Sequence, residues 1–226
     1  MNSFTFIYII GIFIILNLFQ GFTNISLENQ LIYSSIFILL LGIPHGAIDH
    51  VLFFKKREMS QLKFYTIYLG LSLLFVALWH VWPITSLILF LLISAFHFGE
   101  SQFADISFKN IFRYLFYFFW GLCLLSTLMF YNVSELFEIT SYFDDTIVLD
   151  KIYNKGKIGI FFYVTNIITI LSICALVFYD KINKDRLFSE LFLLFLIHVT
   201  FYLFPFIIGF TLYFVALHSL KVMNDE

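Results

Sequence analysis

The length and spacing of the apolar runs constrain this chain more than any other feature. A membrane-spanning helix needs about 20 predominantly apolar residues. Eight stretches qualify: 4–23, 31–54, 64–82, 84–104, 111–131, 158–179, 187–204 and 205–222. Hydrophobic residues make up 61% of the 226-residue sequence and charged residues 12%, against about 25% charge in soluble domains. A soluble fold of this size has too little interior to hide so much apolar surface. The expectation is an all-α, polytopic membrane helical bundle of about eight transmembrane helices, with residues 1–226 forming one integral domain.

Proline tends to open a helix, because it lacks the N–H that a helix interior uses. Pro83 should therefore mark a tight turn between the third and fourth spans, and Pro205 either a hairpin or a break within one helix. The first run has neither the basic leader nor the small-residue cleavage site of a removable signal peptide, so it is expected to stay as the first span. Lysine and arginine in the connecting segments set orientation. Lys55, Lys56, Arg57, Lys63, Lys109, Arg113, Lys181, Lys184, Arg186 and Lys221 fall on one side of an eight-span topology. Lys151, Lys155 and Lys157 fall on the other, in a long loop over 132–157. Ten against three is expected to put both termini in the cytoplasm, and the expected location is the cell (inner or plasma) membrane.

A net charge of −2 gives no basic surface for nucleic acid. Cys123 and Cys174 both lie inside apolar runs, where a thiol stays protonated and a thiolate metal site is not expected.

Against this background the segment 42–50, GIPHGAIDH, is out of place. Proline, two glycines, an aspartate and two histidines are costly inside a bilayer, and ionisable groups there mark function. Topology sorts the six histidines by depth. His45, His50, His97 and His218 lie late in spans that run towards the cytoplasm, within about half a membrane thickness at 1.5 Å per residue. His80, between Trp79 and Trp82, fits an interfacial aromatic belt, and His198 has no polar neighbour in sequence. Both read as structural.

The inner histidines have polar companions. His45 and Asp49 share a helix face, as do His97 and Glu100, and Ser219 follows His218. Imidazole ligands commonly donate their second N–H to such groups, which fixes tautomer and ring orientation. His50 points about 140° away from His45 on a regular helix and is the weaker ligand. Histidines converging from different helices suit a metal centre in a bundle. Without thiolate, Fe, Cu, Zn and Ni all remain open. Iron with an open position fits oxygen chemistry on an apolar substrate, whereas a zinc hydrolase would need water and a polar substrate deep in the bilayer.

GIPHGAIDH, followed by AFHFGES at 95–101 and LHSLK at 217–221, resembles the Brp/Blh family of bacterial and archaeal β-carotene 15,15'-dioxygenases. The three boxes occur in order over nearly the whole chain. The resemblance implies an Fe(2+) enzyme that uses O2 to cleave the central double bond of β-carotene into two retinal molecules. It further implies iron ligation by His45, His97 and His218, with Asp49, His50 and Glu100 as supporting groups or substitute ligands. Phe96, Phe98, Tyr213 and Phe214 are candidates for packing against the polyene, although ordinary core or lipid-facing packing explains each equally well. A retinal-binding opsin in the same lipid bilayer is the expected consumer of the product.

The third box departs from the family's H-S-x-x-H pattern. Val222 stands where a fourth histidine is expected, four residues after His218, and valine cannot ligate iron. On this reading the chain is either a C-terminally truncated piece or a divergent member. Two other classes compete: an inactive relative that binds carotenoid or retinal, and a small transporter relaying protons through Asp49, His97 and Glu100. A di-metal lipid desaturase would need histidine clusters that this sequence lacks.

Overall fold

The computed structural model describes residues 3–18, 25–42, 60–106, 111–142 and 155–225; all regular structure among them is helical. In chain order the helices are α1 (Ser3–Leu18), α2 (Leu27–Phe37, continued by a π-helical turn Ile38–Gly42), α3 (Gln61–Val81), α4 (Pro83–Gln102), α5 (Ile111–Tyr131), α6 (Val133–Ser141), α7 (Lys155–Phe178), α8 (Lys184–Leu203) and α9 (Phe206–Tyr213). A second π-helical segment, Phe214–Ser219, and α10 (Leu220–Asp225) extend α9 without a break.

Among the described residues, six helices are long and apolar enough to cross a membrane: Gln61–Val81, Pro83–Gln102, Ile111–Tyr131, Lys155–Phe178, Lys184–Leu203 and Phe206–Met223. They correspond to the last six runs expected from sequence. The first two runs appear as the shorter apolar helices Ser3–Asn17 and Leu27–Gly42, each adjoining residues outside the described set. Among the described residues, six such helices are therefore in place.

Local chemistry explains the boundaries. Ser26, Ser60 and Asn183 cap α2, α3 and α8 by accepting the N–H of Asn29, Lys63 and Arg186. Pro83 is the first residue of α4, and Pro205 caps α9. The Pro205 step makes a hairpin: Phe201 on α8 packs against Gly209 and the Tyr213 ring on α9. One sequence expectation needs correcting. The stretch after Asn132 is not loop throughout, because VSELFEITS forms α6 and buries Leu136 and Thr140. One of its acidic residues, Glu135, has a structural task. Its carboxylate accepts the N–H of Phe206 (2.7 Å) and the Gln30 side-chain amide (3.2 Å), while Gln30 accepts the N–H of Ile207 (3.2 Å). A carboxylate placed against the first N–H groups of α9 complements that helix's positive end.

The core is centred on α5, whose middle section is buried from Trp120 to Met129 apart from Leu122. On one side α4 crosses it at backbone contact. A methyl group on Gly99 would overlap the Tyr117 carbonyl, and one on Gly121 would overlap the Ala95 carbonyl. Small residues allow this approach, the usual device for packing membrane helices. On the other side α5 joins α7 and α8 through polar groups: Ser126 with Thr165 (2.6 Å), Cys123 to Asn166 (3.2 Å), and Asn166 with His198 (2.9 Å). By contrast α3 buries none of its residues, a surface suited to lipid.

Candidate metal centre

Two of the expected ligands come together. His97 sits in the last part of α4, and His218 lies in the π-helical segment that follows α9. Their Nε2 atoms are 3.2 Å apart, across 121 residues of sequence. The rings meet edge to face with centroids 4.9 Å apart. His218 is buried and His97 half-buried.

The surroundings restrain the His218 ring on three sides. Phe214 stacks on it at 5.4 Å and 22°, Phe98 presents an edge at 5.0 Å, and Ser101 Oγ lies 3.0 Å from Nδ1. Phe98 in turn meets Tyr213 at 5.7 Å. Three of the four aromatic residues singled out from sequence therefore line or adjoin the histidine pair. Phe96 faces elsewhere, towards the rings of Tyr114 and Tyr117 on α5.

The π-helical winding has a packing counterpart. Gly42, the first residue of GIPHGAIDH, abuts the Phe214 ring: a methyl group there would stand 2.6 Å from Cε1. The glycine thus makes room for the ring that stacks on His218. In sequence Pro44, which has no N–H to donate, follows two residues after the π-helical turn Ile38–Gly42. Single π turns recur at functional sites; here two of them pack together beside the histidine pair.

His45, Asp49 and His50 lie outside the described residues. Glu100 is exposed. Ser101 meets the His218 ring at Nδ1, whereas the sequence offered Ser219 beside His218 and Glu100 beside His97; Ser101 is four residues from His97 and so shares its face. Val222 lies in α10 and is partly buried.

A polar cluster closes the end of the site. Lys221 Nζ donates to the carbonyls of Ser101 (3.3 Å) and Gln102 (2.9 Å), satisfying the C-terminal end of α4. Gln102 donates to the buried Glu190 at 2.9 Å, and Glu190 pairs with Arg186 at 2.7 Å. His198 is not isolated, as its sequence neighbours suggested. Asn166 from α7 and Tyr131 from α5 reach its two ring nitrogens at 2.9 and 3.3 Å, so its role as a structural residue now has named partners.

The geometry bears on whether the pair fits a metal. At about 2.1 Å per metal–imidazole bond, the zinc value, two nitrogens on one ion lie about 3.0–3.4 Å apart for angles between octahedral and tetrahedral. The observed 3.2 Å falls inside that range. Among the described residues no third His, Cys, Asp or Glu joins the two.

A protein-family model described as Beta-carotene 15,15'-dioxygenase matches residues 36–226. The chain belongs to this family. A relative of the same description, from uncultured marine bacterium 66A03, is 38% identical over 71 residues. That alignment covers 29% of this chain, and the chain spans 26% of the length of that relative. No solved structure matches. The family match takes in all three histidine boxes, and the pair at 97 and 218 joins the second to the third.

Proposed function

We propose that this protein is an iron-dependent membrane dioxygenase that cleaves β-carotene at its central double bond, consuming one O2 and giving two retinal molecules. The observation that carries the proposal is the approach of His97 and His218 within a chain of this family. His97 and His218, together with His45 from the first box, would hold Fe(2+), with Asp49, His50 and Glu100 as supporting groups. Neutral imidazoles would leave the iron's charge uncompensated, and the ion would supply the O2 chemistry that side chains lack.

The protein's own residues bind and position. The substrate is nearly insoluble in water and enters from the lipid. Phe98 and Phe214, already packed around His218, form the walls against which the flat polyene lies, and Tyr213 backs Phe98. Chemically similar double bonds recur along the chain, so selection of the central one rests on position. The apolar walls also exclude water. Both termini lie in the cytoplasm, the membrane is the cell's plasma membrane, and a retinal-binding opsin there takes up the product.

Val222 favours a second reading, in which the chain binds carotenoid or retinal without turnover. Expression in cells that make β-carotene separates the two. Retinal formed by the wild type, and abolished in His45→Ala, His97→Ala and His218→Ala, supports the dioxygenase. Retinal appearing only after Val222→His supports the second reading.

A further inference from the structure

We propose that Ser101 is a positioning residue that fixes the tautomer of His218 and keeps its Nε2 lone pair directed into the site. The inference deepens the metal-centre reading and rests on it for its function, but its geometric core concerns the metal-free chain. Ser101 has one hydroxyl proton. Its Oγ lies 3.2 Å from the Phe98 carbonyl oxygen, which can only accept, and 3.0 Å from His218 Nδ1. Serine in a helix commonly gives its proton to a carbonyl one turn back. With the proton so used, the oxygen accepts, and His218 must donate from Nδ1. A neutral imidazole protonated at Nδ1 carries its lone pair on Nε2, the atom 3.2 Å from His97 Nε2. The other tautomer would aim an N–H into the site and withdraw the ligand.

The rest of the neighbourhood makes this contact rigid. Lys221 binds the Ser101 and Gln102 carbonyls from the same segment that carries His218. Residues 218–221 and 101–102 therefore grip each other twice, once through a ring and once through an ammonium group. Phe214 stacked on one face of His218 and the Phe98 edge leave the ring little freedom to flip. The ring's orientation is thus set by packing, and its proton by Ser101.

The test has two arms. In the metal-free wild type, 15N spectra of histidine-labelled protein, with His218 assigned by its absence in His218→Gln, should show the Nδ1–H tautomer. A predominant Nε2–H tautomer overturns the proposal, whether or not any variant folds. In the second arm, Fe(2+) affinity is measured by competition with a chromophoric chelator. Ser101→Ala should weaken binding about 10–100-fold, the usual cost of losing a ligand's hydrogen-bond partner, while Ser101→Thr, which keeps the hydroxyl, should stay within about threefold. Equal affinity in Ser101→Ala and wild type overturns the proposal. A wild type that binds no iron instead overturns the metal-centre reading, and the nitrogen spectra still decide the role of Ser101.

Discussion

The backbone contact between α4 and α5 makes the position of His97 depend on two glycines. In Gly121→Ala the new methyl would overlap the Ala95 carbonyl oxygen and stand 2.6 Å from the Ala95 Cα; in Gly99→Ala it would overlap the Tyr117 carbonyl and stand 2.7 Å from the Tyr117 Cα. Carbon contacts settle at about 3.5–4.0 Å, so the helices must part by about 1 Å. Overpacking costs about 1–3 kcal/mol, and the upper end applies because the obstacles are backbone and cannot rotate away. The better helix propensity of alanine offsets about 0.5–1 kcal/mol. A net loss of about 2 kcal/mol lowers the folded-to-unfolded ratio about thirtyfold and the melting temperature by about 4–8 °C for a chain of this size. The assay is thermal unfolding in detergent, with Gly70→Ala as the control. Nothing lies within 4 Å of a methyl group there, on exposed α3, so that variant should melt at or slightly above the wild-type temperature. The reasoning is refuted if Gly99→Ala and Gly121→Ala melt with Gly70→Ala. Separation of the helices also moves His97 relative to His218, and a misplacement of 1 Å can cost about 100-fold in rate. Retinal formation should therefore fall further than stability alone requires.

Other perturbations probe separate parts of the account. Arg186→Ala leaves the buried Glu190 without its cation, and should destabilise the protein by about 3 kcal/mol by denaturant titration; Arg186→Lys should recover part of that. Asn166→Leu removes the group that joins Cys123 to His198, costing about 1–3 kcal/mol through orphaned partners, with little effect on iron content. Gly42→Ala pushes against the end of the Phe214 ring, so it should lower iron affinity more than melting temperature, because that ring stacks on His218.

Much of the helical plan was legible because bilayer crossing imposes a length. The last six runs became helices with ends within a few residues of those expected, and both prolines opened helices where the missing N–H costs nothing. The helix α6 was hidden for a tertiary reason. Glu135 and Glu138 look solvated, and only the fold reveals that Glu135 serves the start of α9. At the site, depth along the helices brought His97 and His218 to one level, and the structure joins them. Partners on other helices were beyond reach: Asn166 and Tyr131 approach His198 from 32 and 67 residues away. Gly99 and Gly121 carried no special mark, since the need for glycine arises only where two backbones cross. Ser101 shares a helix face with His97, but its contact is with His218, 117 residues away, a pairing that local spacing does not reveal.

The central claim is that His97 and His218 hold one iron between them. Iron per chain should be measured on protein purified without oxygen, for the wild type and for His97→Ala and His218→Ala, with melting temperatures confirming that each variant folds. The account predicts close to one iron per wild-type chain and a loss of at least tenfold in either variant. Folded variants that retain wild-type iron, or a wild type that makes retinal while holding none, would contradict it.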